Sequence, residues 1–160
     1  MFALIFGLSF LTNAQDIQNN QPKGYQFTDI KRLPATSVKD QARAGTCWSW
    51  SGISFFESEM IRMGKEPIDL SAMYIVRHAY SDKATKFVRL HGNMNFAVGG
   101  AFCDVMHVIK NYGIVPMDVY KGLNYGEANH AFGEIDDVLA GYVNAVIKNS
   151  NKKLSTAWKK

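Results

Sequence analysis

Cysteine is scarce in this chain: Cys47 and Cys103 are the only two among 160 residues. Two cysteines cannot supply the framework of several disulfides that holds small secreted domains together. The composition is otherwise ordinary for a soluble globular protein, with 47% hydrophobic and 20% charged residues. We therefore expect one domain with a sizeable apolar core.

Long apolar runs are missing as well. The uncharged run over residues 1–11 is shorter than the roughly 20 residues that a membrane-spanning helix needs, so we expect no stable membrane insertion. Thr12-Asn13-Ala14 then supplies the small residues that a signal peptidase reads. We predict a secretory signal over residues 1–14, a flexible leader over residues 15–26 and an exported protein, periplasmic or extracellular. The alternative is a buried N-terminal helix or strand.

Acidic residues are absent after Asp137, whereas five lysines lie between Lys148 and Lys160. The net charge of +4 comes from this end, since the residues before Lys148 carry 13 basic and 14 acidic side chains. A basic excess confined to a tail is typical of a solvated helix face. No basic patch is interleaved with aromatic residues, so we predict no nucleic-acid partner.

Apolar residues recur at three- and four-residue steps in four segments, which predicts four amphipathic helices. The first begins at Cys47 and ends before Gly64, and its apolar face carries Ile53, Phe56, Met60 and Met63. The second follows Ser71 as its N-cap, and its core face carries Met73, Val76, Ala79 and Tyr80. The third ends at Gly113. The fourth covers residues 135–146, and its apolar residues are Ile135, Val138, Leu139, Tyr142, Val143 and Val146. The chain contains no internal repeat that would indicate a solenoid.

Cys47 lies in the first turn of the first predicted helix. There the positive end of the helix dipole and the unpaired N–H groups favour a thiolate over a thiol. A nucleophilic or redox cysteine requires that form. The alternative is that Cys47 is a small buried hydrophobic residue, as free cysteines commonly are.

The neighbours of Cys47 separate these alternatives. Gln41 precedes Cys47 by six positions, and positions 44–48 read Ala-Gly-Thr-Cys-Trp. This stretch resembles the active-site segment of papain-like cysteine peptidases, whose signature is Cys-Gly-Ser/Ala-Cys-Trp/Tyr. The resemblance implies that Cys47 is the nucleophile and that Gln41 forms the oxyanion hole with the N–H of Cys47. A neutral amide suits an oxygen that becomes negative during acyl transfer.

The chain departs from the signature at Ala44, where the family has a disulfide-bonded cysteine. In lacking such bridges it is most similar to the bleomycin hydrolase and aminopeptidase C branch. The resemblance implies an α+β papain-like fold, of which residues 27–160 supply mainly the helical (left) half. It also implies a peptide or protein substrate, which the peptidase would trim from its amino terminus, and no cofactor. A homo-oligomer is possible by resemblance alone.

A glycine pair, Gly99-Gly100, precedes the third predicted helix. Two glycines at such a place commonly form only a tight turn. In papain-like peptidases, a glycine pair here lines the cleft and pairs its backbone with the substrate chain. The resemblance therefore implies that Gly99 and Gly100 bind substrate, together with Trp48 beside the nucleophile.

A histidine is missing where the resemblance requires the general base, about 130–150 residues after the cysteine. The chain's own histidines lie in predicted helices and loops and are poor candidates: His78, His91, His107 and His130. We therefore expect the chain to be the N-terminal part of a longer peptidase, inactive by itself, whose histidine and asparagine partners lie beyond residue 160. The alternative is a non-catalytic papain-like binding or scaffold module.

Cys103 and His107 are four residues apart on the third predicted helix, a spacing that places two possible zinc ligands on one helix face. Two ligands on one helix face can hold zinc when a second pair completes the site. No second pair of cysteine and histidine residues accompanies them, so we predict no metal site.

Overall fold

A computed structural model of the chain describes residues 24–25, 27–124, 126–149 and 153–159. The chain divides into two units, Met1–Arg32 and Leu33–Lys160. In the first unit, the described residues are exposed and lie outside helices and strands. The predicted signal, residues 1–14, and most of the predicted leader lie outside the described residues, and both stay predictions.

The described part of the second unit is helical. It contains α1 (Cys47–Arg62), α2 (Ala72–Arg89), α3 (Phe102–Tyr112), α4 (Gly133–Ile147) and a short 3-10 helix, Ala157–Lys159. The four helices predicted from periodicity are confirmed. None of the helices in the described residues combines the length and apolarity needed to cross a membrane.

Extended pairing in the described residues is limited to two isolated bridges. Arg43 pairs with Ala131 in parallel, and Leu70 pairs with Pro116 in antiparallel orientation. The described residues hold no longer strand. They fit the helical half of the predicted fold, and the α+β class of the whole fold stays a prediction.

The boundary between α1 and α2 follows local sequence signals. Gly64 has φ +75°, and the N–H of Lys65 reaches back to the Met60 carbonyl at 2.9 Å. These features form a Schellman ending, in which glycine takes the left-handed position without a steric penalty. The Ser71 hydroxyl accepts a hydrogen bond from the N–H of Tyr74 at 3.0 Å, which confirms the predicted N-cap.

The core lies between α1, α2 and α3. The predicted core face of α2 is buried in full: Met73, Val76, Ala79 and Tyr80. Helices α1 and α3 are in close contact at Gly52, where an added Cβ would lie 2.8 Å from Cγ2 of Val105. Val105 is itself completely buried. The absence of a side chain at Gly52 therefore lets the two helices approach closely.

Some residues on the predicted apolar faces are exposed. Met63 is 65% exposed because it lies at the C-cap, after the last residue of α1. On α4, Val143 is buried, whereas Ile135 and Val138 are 49% and 63% exposed. The helix packs mainly against α2, so only the stripe that faces α2 is covered. Periodicity predicts an apolar face, but its coverage depends on the neighbouring helices.

A buried carboxylate ties the chain before α1 to the start of α2. The side chain of Glu57 accepts from the N–H of Leu70 at 2.7 Å and from the hydroxyl of Thr36. It also pairs with Lys39 Nζ at 2.7 Å, and Lys39 pairs with Asp69 at 2.9 Å. Burial lowers the pKa of Lys39, but the two carboxylates outweigh burial and hold that pKa above its ordinary value.

Replacing Gly52 by alanine tests the close contact between α1 and α3. We expect Gly52→Ala to lower the free energy of unfolding by about 1–3 kcal/mol, because the new methyl group would overlap Val105. Gly141→Ala is the matched control: Gly141 is also helical, but a Cβ there meets nothing within 4 Å. The control should be neutral or stabilising by up to about 1 kcal/mol. Urea unfolding measures both, and equal stability of the two variants would contradict the contact.

Candidate active site

Cys47 is the first residue of α1, and it is exposed. It is therefore not a buried core residue, and that alternative for Cys47 is wrong. The position agrees with the prediction that the sulfur lies in the first helical turn. Cys103, the second residue of α3, is also exposed.

The first turn of α1 leaves the N–H of Cys47 without an internal acceptor. The Thr46 carbonyl accepts from the N–H groups of Ser49 at 2.9 Å and Trp50 at 3.4 Å. The buried Thr46 hydroxyl does not cap the helix, because it accepts from the indole N–H of Trp50 at 3.1 Å. Among the described residues, no acceptor bonds to the N–H of Cys47. Free N–H groups of this kind are a general property of a helix N-terminus.

Gln41 lies in a tight turn that leads to Cys47. Its main-chain carbonyl accepts from the N–H of Ala44 at 3.2 Å, and Ala42 and Gly45 have φ values of +51° and +63°. The side chain of Gln41 is half-buried. Its Oε1 is completely buried and has no hydrogen-bond partner in the described part of the protein. The side chain therefore turns its carbonyl end inward.

Trp48 connects the nucleophile helix to the glycine pair, although the two lie far apart in sequence. The indole N–H donates to the carbonyl of Val98, 50 residues away, at 2.9 Å. Gly100 lies against the indole, since an added Cβ would be 2.5 Å from Cε2 of Trp48. Gly99 is exposed, and a Cβ there would meet nothing within 4 Å. The structure thus brings the glycine pair into contact with Trp48, the residue that follows Cys47 in the sequence.

These contacts give Trp48 a packing role that the sequence did not predict. Only 7% of the residue is exposed, its N–H is occupied by Val98 and its ring is covered by Gly100. Glycine is required at position 100 because the indole fills the space of a side chain. Substrate contact stays a prediction for all three residues, and both Gly99 and Gly100 are exposed.

Lys83 of α2 completes this arrangement and was not singled out in the sequence. Its Nζ donates to the carbonyl of Gly99. The same Nζ lies 5.5 Å from the centre of the Trp48 ring and 5.9 Å from that of Tyr80. These distances are within the range of cation–π attraction. No sequence pattern around Lys83 distinguishes it from a solvated lysine on a helix.

Comparison with models of known protein families identifies a match over most of the chain, well beyond the local signature around Cys47. The family model described as papain family cysteine protease matches residues 22–156. The chain belongs to the papain family of cysteine proteases. The match covers the turn at Gln41, the nucleophile helix and the glycine pair. Among curated proteins, no match was found. Family membership supports cysteine peptidase activity and hence peptide or protein substrates, whereas the branch within the family stays open.

Two histidines of this papain-family chain, His78 and His107, contact side chains other than Cys47. His107 Nε2 lies 3.1 Å from a carboxylate oxygen of Asp82, and the His78 ring stacks on Tyr112 with ring centres 4.3 Å apart. Burial lowers the pKa of His78 below its ordinary value. Within the described ranges, no histidine is hydrogen-bonded to Cys47.

His130 lies closer to the active-site turn than the sequence indicated. Its main-chain carbonyl accepts from the N–H of Arg43, between Gln41 and Cys47, at 2.9 Å. The ring is buried against Trp50, with ring centres 5.8 Å apart. Burial lowers the pKa of His130 below its ordinary value, which disfavours the charged imidazolium. This tertiary contact had no local signal in the sequence.

A cavity of about 920 Å³ lies between α2 and α4. Its walls are mainly apolar and include Val76, Phe132 and Leu139. No predicted site residue lines it. The described residues contain no group of three or more side chains that could hold a metal ion. The absence of a metal site in the protein stays a prediction.

The contact between Gly100 and Trp48 predicts different effects of one methyl group at adjacent glycines. Gly100→Ala should lower the free energy of unfolding by about 1–3 kcal/mol, because Cβ would overlap a buried indole. Gly99→Ala should leave stability nearly unchanged, since the space around it is open. Urea unfolding followed by tryptophan fluorescence compares the two. A Gly99→Ala variant as unstable as Gly100→Ala would contradict the packing described.

Proposed function

We propose that this papain-family chain supplies the nucleophile and the oxyanion hole of a peptidase that cleaves peptide bonds by acyl transfer. The exposed Cys47 sulfur attacks the scissile carbonyl carbon. The N–H of Cys47 and the side-chain amide of Gln41 donate to the carbonyl oxygen as it becomes negative. The observation that supports this most directly is the exposed sulfur on a residue whose own N–H lacks an acceptor in the described structure.

The reaction proceeds in two steps. The thiolate adds to the carbonyl to give a tetrahedral oxyanion, which collapses to a thioester as the amine leaves with a proton from the general acid. Water then attacks the thioester, releases the acid product and restores the thiol. A histidine must take the thiol proton and return it to the amine, and an asparagine orients that ring. In this proposal, both partners lie outside residues 1–160.

The arrangement of Gln41 supports the role of oxyanion donor. Its Oε1 faces the interior, while the residue as a whole is only half-buried. The opposite end of the amide carries the two N–H donors. A neutral donor stabilises the oxyanion without pairing with the thiolate as a cation would. The turn that contains Ala42 and Gly45 connects Gln41 to the start of α1.

The branch of the family is part of the same proposal. Ala44, which is completely buried, replaces the first cysteine of the family signature, so no disulfide can form at this position. The bleomycin hydrolase and aminopeptidase C branch does without these bridges. We therefore propose trimming from the amino terminus as the mode of action.

A non-catalytic binding module is the second candidate. The observation that favours it is the lack of any hydrogen bond between Cys47 and a histidine in the described residues. Such a module would keep the cleft surface but would not need a reactive sulfur.

Selective labelling of the two exposed cysteines separates the candidates. Cys47 and Cys103 lie at the first and second residues of helices, so Cys103 is an internal control. In the peptidase that carries its histidine and asparagine partners, we expect an epoxysuccinyl dipeptide to modify Cys47 at least tenfold faster than Cys103, because the peptide part binds beside Cys47. Peptide mapping by mass spectrometry measures both rates. We also expect a peptide aldehyde, which forms a hemithioacetal oxyanion with Cys47, to bind Gln41→Ala about tenfold or more weakly.

Two outcomes would count against the peptidase. Equal modification of Cys47 and Cys103 by the epoxysuccinyl dipeptide would favour the binding module. Unchanged aldehyde affinity in Gln41→Ala would remove Gln41 from the oxyanion hole.

A further inference from the structure

The ammonium group of Lys83 is held beside the glycine pair without a carboxylate partner. Its Nζ donates to the Gly99 carbonyl and lies over the rings of Trp48 and Tyr80. The described ion pairs do not include Lys83. The neighbouring carboxylate, Asp82, is occupied by the Tyr112 hydroxyl at 2.6 Å and by His107. The charge of Lys83 is therefore directed at the backbone of the glycine pair.

Two side chains fix two successive carbonyl groups in this segment. The Trp48 indole N–H holds the Val98 carbonyl at 2.9 Å, and Lys83 holds that of Gly99. Glycine has the most freely rotating backbone of all residues, so a Gly-Gly segment does not keep one orientation by itself. The indole blocks one side of Gly100. The hydrogen bond from Lys83 fixes the remaining peptide plane.

That peptide plane contains the Gly99 carbonyl and the N–H of Gly100. The described peptide bonds are all trans, so these two groups point in opposite directions. With the carbonyl directed at Lys83, the N–H of Gly100 points away from Lys83. No acceptor in the described chain bonds to this N–H. It is therefore a free donor in the segment to which the family resemblance assigns substrate binding.

We propose that Lys83 is a positioning residue for peptide binding: it orients the Gly99–Gly100 peptide so that the N–H of Gly100 can pair with a carbonyl of the substrate. This inference rests on the proposed function. Lys83 acts through the backbone and does not touch the reacting atoms. Extended peptides bind exposed backbone in this way because main-chain hydrogen bonds supply affinity for any sequence.

The test compares a peptide reagent with a small reagent on the same sulfur. Lys83→Met keeps the length of the side chain and removes the donor and the charge, whereas Lys83→Arg keeps both. Lys86→Met, on an exposed residue of the same helix, is the matched control. Saturation kinetics of an epoxysuccinyl dipeptide give its binding constant and its maximal rate at Cys47. Iodoacetamide, which makes no peptide hydrogen bonds, measures the reactivity of the sulfur alone.

We expect Lys83→Met to weaken binding of the epoxysuccinyl dipeptide by about three- to tenfold, the size of one hydrogen bond. The maximal rate and the iodoacetamide rate should stay within about twofold of the unsubstituted chain. Lys83→Arg should restore most of the binding, and Lys86→Met should change nothing. A purely structural role for Lys83 would change both reagents alike.

The outcomes separate this inference from the proposed function. If the unsubstituted peptidase, with its histidine and asparagine partners present, shows no preference of the dipeptide for Cys47 over Cys103, the proposed function fails, and this inference fails with it. If the preference is present and Lys83→Met binds normally, or slows both reagents equally, only the role of Lys83 is wrong. Should Lys83→Met not fold, Lys83→Gln takes its place, with the same expected direction and the same contradicting results.

Discussion

The indole of Trp48 is the contact on which the candidate site depends. Its N–H binds the Val98 carbonyl, its face lies against Gly100, and the ammonium group of Lys83 lies over its ring. Tryptophan can do this because it has a large apolar face and a single polar edge. The residue directly before it is Cys47, so fixing the indole also fixes the start of α1. The reactive sulfur and the glycine pair are placed relative to each other by this one side chain.

A second constraint acts on the chain before the nucleophile. Glu57, buried in α1, binds Lys39, Thr36 and the N–H of Leu70. A buried carboxylate is tolerated only when several partners replace its lost hydration, and this one has three. Because Lys39 is two residues before Gln41, the chain between the network and Trp48 is held at both ends. The left-handed turn that carries Gln41 lies between these two fixed points.

These contacts hold together the groups that the proposed acyl transfer would use. The first turn of a helix provides an unpaired N–H, an adjacent turn provides a neutral amide, and a rigid ring keeps a glycine segment beside them. The cavity between α2 and α4 is separate from this site. Its exposed apolar margin follows from the limited contact of α4 with the rest of the helices.

The sequence by itself determined what depends on near neighbours. The ends of α1 and the start of α2 were predictable because Gly64 and Ser71 act within one helical turn. The family signature also lies within a few residues of Cys47, and the family match is consistent with it. The prediction of which residues form the buried face of α2 was correct, because periodicity shows which residues share one face of a helix.

Tertiary structure alone decided the contacts that join distant residues. The packing role of Trp48 had no signal in the sequence, since the segment that covers the indole lies 50 positions away. The bond from Lys83 to Gly99, the network around Glu57 and the pairing of His130 with Arg43 are of the same kind. A helical pattern shows which way a side chain faces along its own helix. It does not show which backbone carbonyl another loop brings to that side chain, because packing in three dimensions makes that choice.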